Sequence, residues 1–396
     1  MKVKKICAIA YTRYLTDPRV RRECEALAER GDQVDVFCLR GEGQPPVERV
    51  SGVTVYRLPV SKCRSDSQLA YIVSYFYFTL VAAWYITRHF LKERYQVIHA
   101  HNMPDFIVFA AIVPKLMGAK VILDIHDLMP ETFTAKFNNT LLRRVVELEE
   151  YVCTRFADHL ITVHTPYKQI LLKRGHLEGR ITVLMNLPDE NIFSVDKSRN
   201  APQPSDGDGV MLVYHGAIVE RYGVDLALLA FHKIVPQAQR LRFRIIGNGA
   251  LAPRVKQLIE ELRLGERVEF INKYVPVDQL PALISRAHMG VVPNRRNAAT
   301  EFILSTKLLE YVRLGIPALV SRLPTVESYF DDTMVSYFEA GNVDDLAEKM
   351  LSLYQSPAAR KALAENAMAF NARYAWNSMK QDLYHLVDYL TQRSKT

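Results

Sequence analysis

Short apolar runs alternate with amphipathic segments through the first half of the chain. Continuous apolar runs are typical of strands buried on both faces, and apolar residues at helical spacing are typical of the helices that cover such strands. The predicted strands are residues 5–11, 33–39, 53–58, 97–100, 120–125 and 159–163. The predicted helices are residues 20–30, 106–117 and 141–156. This alternation predicts a parallel α/β sheet with right-handed crossovers.

The same alternation restarts in the second half, after a change of composition. Residues 194–209 are rich in Asp, Ser, Pro and Gly and nearly free of large apolar side chains, which is typical of a linker between domains. The predicted strands beyond it are residues 210–214, 241–246, 267–271, 289–292 and 317–320. The predicted helices are residues 224–234, 250–262, 277–287 and 306–314, and the chain is expected to be helical after Gly341.

The expected fold class is α/β, with two doubly wound Rossmann-like domains that face a cleft. The N-terminal domain is predicted at residues 1–193, the linker at 194–209 and the second domain at 210–375. Residues 376–396 are predicted to form a C-terminal helix that packs back on the N-terminal domain. Ligands of open parallel sheets bind beyond the carboxyl ends of the strands, so the residues that follow the strands are the candidates for a site.

Residues 67–87 form an uncharged segment of the first domain. These 21 residues include seven aromatic side chains and are long enough to span a bilayer. A span at this point would interrupt the first sheet, so we predict a crossover helix buried on the sheet. A helix that rests one face on a membrane interface, where Tyr and Trp are favoured, is the alternative.

Composition narrows the class of protein. The chain has 396 residues, of which 24% are charged and 49% hydrophobic, and this mixture excludes a disordered, collagen-like or disulfide-stapled protein. The formal charge is +8, and residues 1–190 hold 26 Lys and Arg against 21 Asp and Glu. This mild excess fits an anionic small ligand or an acidic membrane surface and is too dispersed for nucleic acid. Five cysteines without a C-x-x-C pair, and an N-terminal apolar run too short for a signal peptide, predict a reduced cytosolic protein.

Polar groups follow two strands of the predicted N-terminal domain. Asp17 precedes Pro18 and Arg19 in a strong helix-start pattern, and capping alone would explain Asp17. No G-x-G-x-x-G motif is present there, so a dinucleotide cofactor is not expected. Residues 124–131 place two aspartates, a histidine and a glutamate at one strand end, where their burial is costly unless they are paired or hydrated. The imidazole of His126 could donate a hydrogen bond to a sugar hydroxyl.

Two segments of the second domain are suited to a phosphate ligand. Residues 215–223 combine two glycines, which allow close backbone approach, with Arg221, whose planar fork can pair with phosphate. Ser305 or Thr306 is expected to cap a helix whose first amides form an anion site. Glu310 lies about one turn into that helix, where its carboxylate could bind a ribose diol.

Taken together, these segments resemble the retaining, nucleotide-sugar-dependent glycosyltransferases of the GT-B fold, family 4. The matching segments are residues 17–23, 97–102, 126–127, 186–189, 216–223, 247–249, 307–310 and 315–317. The resemblance implies that His126 contacts the donor sugar and Glu310 the nucleotide ribose. It also implies that the amides of residues 305–307 hold the diphosphate and that Arg221 neutralises it.

The resemblance supplies the expected site. The expected catalytic residues are His126, Asp127 and Arg221. The expected donor-binding residues are Gly216, Arg221, Gly247, Ser305, Thr306, Lys307 and Glu310, and those on the acceptor side are Asp17, Arg19, His101 and Glu131. No cofactor or metal is expected, because helix dipoles and an arginine can stabilise the leaving diphosphate.

The chain departs from the family pattern at three points. The first of the family's paired glutamates would fall on Phe302, with Glu301 one position away. The family's Arg and Lys near the phosphates would fall on Ala217 and Tyr222, so that Arg221, with Lys307 as a second candidate, must supply the positive charge. Residues 206–208 imitate the D-x-D metal motif of another fold, but they lie in the predicted linker.

The expected function is transfer of a sugar from a nucleotide-diphosphate donor to a glycan or lipid-linked acceptor, with retention of configuration, in cell-envelope or exopolysaccharide synthesis. The protein is expected to be cytoplasmic, with peripheral contact to an anionic membrane at its inner face as an open alternative. An epimerase of the same fold, using Asp127 and Glu131 as a second acid–base pair, remains a rival hypothesis. A non-catalytic nucleotide-sugar-binding protein is another, and the glutamate missing at position 302 is the argument for it.

Overall fold

The computed structural model describes residues 3–63, 68–136, 140–194 and 209–392. The chain divides into two compact units, Met1–Asn186 with Asn377–Thr396, and Leu187–Trp376. The boundary between the units thus falls earlier than residue 193. Nearly all of the predicted linker, including residues 206–208, lies outside the described residues.

The first unit is built on an eight-stranded sheet in the order β3-β4-β2-β1-β5-β6-β7-β8. The strands are β1 Lys5–Ala10, β2 Gln33–Leu39, β3 Val47–Val50, β4 Val53–Leu58, β5 Val97–His101, β6 Lys120–Ile125, β7 His159–Thr162 and β8 Ile181–Val183. All neighbours are parallel except β3 and β4, which form an antiparallel hairpin at the edge. The register pairs Ala10 with His101 and His101 with Asp124, which brings polar residues together at the carboxyl ends of three central strands.

Helices cover both faces of this sheet. They are α1 Pro18–Glu29, α2 Gln68–Glu93, α3 Ile112–Leu116, α4 Met129–Lys136, α5 Thr140–Phe156 and α6 Thr165–Lys173. The prediction of one helix at residues 106–117 is wrong, because Asp105–Ala111 is a 3-10 helix and only Ile112–Leu116 is α-helical. Pro114 explains the break, since a proline without an N–H is tolerated only in the first turn of an α-helix.

Helix α2 is only half buried, which corrects the prediction of a crossover helix buried on the sheet. Phe78, Ala82, Ile86 and Phe90 are at most 2% exposed and pack on the unit. The opposite face of the helix is open, and Leu80 on that face is 70% exposed. A crossover helix offers the sheet only one stripe of its surface, so apolar residues around the rest of the helix remain uncovered.

The second unit contains a six-stranded, wholly parallel sheet in the order β11-β10-β9-β12-β13-β14. Its strands are β9 Val210–His215, β10 Leu241–Ile246, β11 Val268–Ile271, β12 Met289–Val292, β13 Ala318–Ser321 and β14 Ser336–Phe338. The prediction of two doubly wound α/β domains is therefore confirmed. The strand order reverses at β9, and the crevice beyond its carboxyl end is where such sheets bind ligands.

The helices of this unit include one further correction. They are α7 Val224–Ile234, α8 Ala252–Glu261, α9 Leu280–Ile284, α10 Thr306–Leu314, α11 Pro324–Glu327, α12 Val343–Gln355 and α13 Pro357–Arg373. The helix predicted at residues 277–287 is shorter: Val277–Gln279 is a 3-10 turn before α9, whose Pro281 again marks a first turn. The last helix, α14 Trp376–Gln392, packs on the first unit, where the Tyr384 hydroxyl donates to the Ala26 carbonyl at 2.8 Å.

Candidate functional site

The crevice of the second unit begins with glycines at the ends of β9 and β10. Gly216 and Gly247 have φ angles of +111° and +139°, which residues with a side chain rarely adopt. A Cβ at Gly247 would overlap the carbonyl oxygen of Gly216, and a Cβ at Gly216 would lie 2.7 Å from Cε of Lys307. Both predicted donor-site glycines therefore lie where two backbone segments and a lysine meet.

The loop that follows β9 is held by backbone hydrogen bonds and one arginine. The amide of Ile218 donates to the Asn248 carbonyl at 2.8 Å. Arg295 donates to both carboxylate oxygens of Asp225, at 2.9 and 2.6 Å, and its amide donates to the Arg221 carbonyl at 3.0 Å. The 3-10 turn Glu220–Tyr222 is thus fixed to the start of α7.

The N-terminus of α10 has no side-chain cap, which corrects one prediction. Ser305 occupies the N-cap position, yet its hydroxyl makes no hydrogen bond to the first-turn amides, and Thr306 is the exposed first helical residue. A helix begins with amides that need acceptors, and these attract an anion through the helix dipole. The described side chains therefore leave this N-terminus suited to a phosphate group.

Lys307 is a buried cation at the same place. Its Nζ lies 4.1 Å from the ring centroid of Tyr222 and 5.4 Å from that of Tyr214. The pKa of Lys307 is lowered to about 8, mainly by burial; the charge of Glu310 partly offsets this effect and that of Arg221 adds to it. The side chain is 7% exposed. A cation that is so poorly hydrated interacts strongly with an incoming anion.

Arg221 lies near the same aromatic ring and is exposed. Its guanidinium carbon is 5.0 Å from the Tyr222 centroid, and Nη2 donates to the Tyr222 hydroxyl at 3.4 Å. The structure therefore brings the two predicted cations, Arg221 and Lys307, to one tyrosine.

Glu310 is held by a histidine that the sequence analysis does not assign to the site. Nε2 of His215, the last residue of β9, donates to the Glu310 carboxylate. Nδ1 of His215 lies 3.0 Å from the Tyr311 hydroxyl, which in turn donates to the Val213 carbonyl at 3.2 Å. One carboxylate oxygen of Glu310 is thereby fixed, and the side chain is 13% exposed. Glu301 lies apart from this chain of contacts, 4.0 Å from Arg296.

The first unit carries a buried cluster at the carboxyl ends of β5 and β6. Oδ2 of Asp124 lies 3.3 Å from Nε2 of His99, 3.3 Å from Nδ1 of His101 and 3.5 Å from Nε2 of His126. Nδ1 of His101 lies 3.1 Å from Nε2 of His126. Glu23 of α1 approaches His99 at 3.7 Å. All five side chains are buried, so their ionisation is set by one another.

These contacts fix the charge of the cluster. Burial lowers the pKa of His126 to about 3 and, with His101, the pKa of His99 to about 4, so that both imidazoles are neutral near pH 7. Burial disfavours the charged form of Asp124, but the surrounding imidazoles outweigh it and hold the pKa of this carboxyl well below its usual range. Burial and the charge of Asp124 raise the pKa of Glu23 well above its usual range. These opposite shifts favour a proton on Glu23 beside an ionised Asp124.

Asn102 positions the predicted catalytic pair His126 and Asp127. Its Oδ1 accepts from the His126 amide at 2.8 Å, and its Nδ2 donates to the Asp127 carbonyl at 2.7 Å and to Asp105 at 2.8 Å. The loop after β6 is thus attached to the loop after β5.

Of the predicted acceptor-side residues, Asp17 and Arg19 interact electrostatically with members of this cluster, and Glu131 makes an ion pair with Arg174. Asp17 caps α1 by accepting from the amides of Arg19 and Val20 at 3.2 and 3.4 Å. Burial opposes ionisation of Asp17, but Arg19 and His126 lower its pKa overall. Glu131 pairs instead with Arg174. The same guanidinium also pairs with Glu150 at 2.6 Å.

The buried cluster is also the place, among the described residues, where a metal ion could be held. Glu23, His99, His101 and Asp124 each offer one donor atom, all within 4.8 Å of one another. Donors in a tetrahedral zinc site are about 3.3 Å apart, close to several of these separations. A proton on Glu23 would reduce the repulsion between the carboxylates of Glu23 and Asp124, as a bound cation would. The absence of a metal from this protein therefore stays a prediction.

Sequence reasoning misses Glu23, His99 and His215 as members of these clusters. His99 and His101 alternate along β5 and therefore share one face of the strand, a signal that the sequence does contain. Glu23 lies one turn beyond Arg19 on α1, which is a weaker signal. His215 acts through a partner 95 positions away, which no local pattern indicates.

Two family models match the chain, one for each unit. Residues 16–186 match the glycosyl transferase 4-like domain, and residues 196–370 match glycosyl transferases group 1. Among solved structures, sucrose-phosphate synthase from Thermosynechococcus elongatus has a TM-score of 0.79 at 18% identity and covers 98% of this chain and 100% of its own. Anabaena Alr3699/HepE in complex with UDP has a TM-score of 0.69 at 15% identity, covering 97% and 100%.

Curated relatives include enzymes that act on lipids, by their names. The phosphatidylinositol N-acetylglucosaminyltransferase gpi3 subunit of Schizosaccharomyces pombe is 22% identical over 76% of this chain and 61% of its own length. The chitobiosyldiphosphodolichol beta-mannosyltransferase of Candida glabrata is 22% identical over 92% of this chain and 86% of its own length. The chain spans 56 to 61% of the length of the first curated relatives that it matches.

The two parallel α/β units and these matches define a glycosyltransferase of the GT-B fold. Within that class, the chain belongs to the family 4 type of glycosyltransferases, because the two family models together account for most of its residues. The expected resemblance is confirmed.

Proposed function

We propose that this glycosyltransferase moves a sugar from a nucleotide-diphosphate donor to a lipid-linked acceptor, with retention of anomeric configuration. The observation that carries the proposal is the convergence of the uncapped α10 N-terminus, the buried Lys307 and the close-packed Gly216 and Gly247. Such a place favours the negative charge of a diphosphate. The structural similarity to Anabaena HepE, a protein solved in complex with UDP, supports a nucleotide donor.

In the proposed mechanism, the second unit stabilises the leaving diphosphate. The amides of the first turn of α10 and the ammonium of Lys307 face the charge that grows as the glycosidic bond breaks. Arg221 adds a second, exposed cation beside Tyr222. The carboxylate of Glu310, oriented by His215, accepts hydrogen bonds from the ribose hydroxyls.

This arrangement offers a physical account of the departures from the family pattern. The family's basic loop residues fall on Ala217 and Tyr222, but Lys307 of α10 places its ammonium 4.1 Å from the Tyr222 ring. A cation–π contact holds a cation over an aromatic face. We infer that the positive charge for the diphosphate comes from the helix and that the loop supplies the ring that positions it.

In the first unit, we assign donor-sugar contact to His126 and a supporting role to Asp127, with Asp17, Arg19 and His101 toward the acceptor. The neutral imidazole of His126 can donate a hydrogen bond to a sugar hydroxyl or accept one from it. Asn102 and Asp124 orient this imidazole. Glu131 is left out of the site because Arg174 holds it, which also weakens the epimerase alternative that required it.

The acceptor class follows from the relatives. The names of the two yeast relatives specify a phosphatidylinositol and a dolichol-linked diphosphate as lipids on which they act. We extend a lipid-linked acceptor to this chain, working at the cytoplasmic face of a membrane in cell-envelope or exopolysaccharide synthesis.

The test combines ligand binding with transfer. A panel of nucleoside diphosphates is added to the purified chain, and the melting temperature is measured, because a ligand that binds only the native state raises it. The best nucleotide is then supplied as labelled sugar donors with phospholipid and polyprenyl-diphosphate acceptors. Label in the lipid phase, lost in a Glu310→Gln variant, is the expected result. Binding without transfer or hydrolysis would favour the non-catalytic alternative, and isomerised donor would favour the epimerase.

A further inference from the structure

The large exposed apolar side chains of the described residues are concentrated on three helices of the first unit. We call the outward faces of α2, α3 and α5 the three-helix apolar surface. Its most open members are Leu69, Leu80, Trp84, Leu116, Leu141 and Leu148, which are 56 to 82% exposed. Soluble proteins rarely leave so many large apolar side chains together in water without a partner.

The exposed residues form one face on each long helix. On α2, Leu69, Val73, Phe76, Leu80 and Trp84 follow one another at spacings of three or four, which places them in a single stripe. The residues of α2 that pack on the sheet lie on the opposite side. On α5 the exposed residues repeat in the same way from Leu141 through Val145 and Leu148 to Val152.

The three helices are neighbours, so their open faces join. The 3-10 helix Asp105–Ala111 packs between α2 and α5 and continues directly into α3. The ring of Phe106 stacks on Phe76 at 4.3 Å, and its amide donates to Glu149 of α5 at 2.8 Å. Phe109 contacts Phe156 at 5.1 Å. These contacts fix the helices side by side on one flank of the unit.

Helix α2 lies on the unit and does not leave it. By length and composition it is the one helix among the described residues that could cross a membrane alone. However, Phe78 packs edge-to-face on Tyr11 at 5.3 Å, and Ser74 hydrogen-bonds the Tyr11 hydroxyl at 3.0 Å. Crossing a bilayer would strip this face from the sheet and expose the core, so the helix can meet a membrane only along its side.

The charges around the surface select an anionic membrane as its partner. The residues of the three helices that are exposed and charged, over the side chains described, are Arg88, Lys92, Arg143, Arg144 and Arg155. Glu147, whose side chain is 42% exposed, pairs with Arg143 at 2.8 Å, so a net basic charge remains. Their acidic residues are turned inward or bonded, as in the pair Lys5–Glu93 at 2.9 Å and in Glu150 bound to Arg174. The guanidinium groups of Arg88 and Arg155 lie over Trp84 and Tyr151, at 5.5 and 4.3 Å. Aromatic rings and arginines of this kind settle among lipid headgroups.

We propose that the three-helix apolar surface docks in the plane of a bilayer containing anionic lipid, with the leucines below the headgroups and the arginines among them. Two copies of this chain would instead oppose Arg88, Lys92, Arg144 and Arg155 on each side, while Arg143 is paired with Glu147, which argues against a dimer through this face. This proposal adds an anionic membrane as a partner of the glycosyltransferase. It can be tested independently of the proposed function, because docking requires neither a bound nucleotide nor sugar transfer.

The experiment uses the full chain and its own tryptophan as a reporter. The chain contains two tryptophans, of which Trp376 is 4% exposed and Trp84 is 56% exposed on the proposed surface. Vesicles of phosphatidylcholine, with or without phosphatidylglycerol, are added at low and high salt, and both emission and co-sedimentation are measured. We expect a blue shift of the emission and co-sedimentation with the anionic vesicles, both reduced by salt.

A triple variant with one change on each helix, Leu80→Ser, Leu116→Ser and Leu148→Ser, removes exposed leucines and keeps Trp84. We expect its affinity for anionic vesicles to fall at least about tenfold. The matched control changes the exposed residues Val3, Val47 and Leu177 to serine, away from the three helices, and should bind like the wild type.

The controls separate this inference from the proposed function. The melting-temperature shift with nucleotide should be the same in both triple variants, because neither touches α10 or the glycines of the second unit. Absence of co-sedimentation at low salt, or equal loss of binding in both triple variants, would overturn the membrane surface while leaving donor binding intact. A different outcome would assign the surface to a second copy of the chain. In that case the wild type does not bind vesicles and is a dimer in light scattering, and only the variant with Leu80, Leu116 and Leu148 changed is a monomer.

Discussion

Substitution of Lys307 by methionine should make the protein more stable and the enzyme slower. Methionine keeps the length of the side chain that packs against Gly216 and removes the buried charge. Burial lowers the pKa of Lys307 from 10.5 to about 8, and each pKa unit corresponds to about 1.4 kcal/mol. The ammonium therefore costs the ligand-free fold about 3 kcal/mol at neutral pH, and Lys307→Met should recover much of it.

The pH dependence gives this prediction a sign. Below pH 8 the lysine is protonated in both the folded and the unfolded chain, so the whole cost is present. Between pH 8 and 10.5 the unfolded chain keeps a proton that the folded chain has lost, so the stability of the wild type rises relative to that of the variant. The advantage of Lys307→Met should consequently be largest at pH 7 and shrink toward pH 10.5.

The loss of function has a separate magnitude. Removal of one preorganised group that stabilises transition-state charge costs about 10²- to 10³-fold in turnover. A bound diphosphate should also raise the pKa of Lys307, so nucleotide binding should take up a fraction of a proton near pH 8 and depend on buffer ionisation in calorimetry.

The assay compares Lys307→Met with Lys256→Met, a matched change at an exposed lysine of α8. Unfolding by urea at several pH values gives the stabilities, and turnover is measured with saturating donor. A Lys307→Met enzyme that keeps turnover within threefold of the wild type, or whose stability gain does not decline above pH 8, would refute the assignment of Lys307 as the buried diphosphate cation.

Three further outcomes are expected. Glu310→Ala should weaken nucleotide binding by about 1.5 to 3 kcal/mol, because the ribose loses a charged acceptor, and an unchanged calorimetric affinity would remove Glu310 from the site. Arg221→Ala should lower turnover more than it weakens binding of the free nucleoside. Its loss of turnover should be smaller than that of Lys307→Met, because Arg221 is exposed and Lys307 is buried. An equal or larger loss of steady-state rate in Arg221→Ala would make Arg221 the more important cation. Metal analysis of the purified chain should find far less than one equivalent of zinc, and a chelator should leave turnover unchanged. If the wild type instead contains one equivalent of zinc that is lost in His99→Ala, the buried cluster holds a cation.

The strands that the sequence predicts well are those buried on both faces. The predicted bounds of Gln33–Leu39, Lys120–Ile125 and Leu241–Ile246 match those of the structure, because a continuous apolar run has one stable place in a parallel sheet. The strands that the sequence pattern misses lie at sheet edges. Val47–Val50 is mostly exposed and Ile181–Val183 has only three residues, so neither carries a long apolar run.

The same reasoning explains which site residues can be predicted. Residues directly after a central strand, such as His126 and Gly216, are placed at the ligand edge by connectivity alone. Glu23 and His215 act through partners distant in sequence, and Arg295 supports the site by holding a loop across from it. The residue type predicts that Ser305 caps α10, but in the structure no side chain caps this helix. The first amides of α10 are therefore available to an anion, and such departures from local rules are expected at functional sites.

The cation proposed to bind the diphosphate could not be located from the sequence motif alone, because its position depends on the fold. From the sequence, Ala217 and Tyr222 mark the loss of two cations, and Arg221 is the neighbour nearest in the chain. Only the fold shows that the stem of Lys307 passes Gly216 and ends over the Tyr222 ring, where burial holds its pKa near 8. A desolvated lysine interacts with a diphosphate more strongly than an exposed arginine does, because less solvent screens it. On the proposed assignment, Lys307 supplies the charge that the loop lacks, with a glycine at position 216 beside its stem and an aromatic ring at position 222 beneath its ammonium. A Gly216→Ala change, which would strain the backbone at a φ of +111° and displace Cε of Lys307, should lower turnover, though less than Lys307→Met does, while leaving residue 307 a lysine.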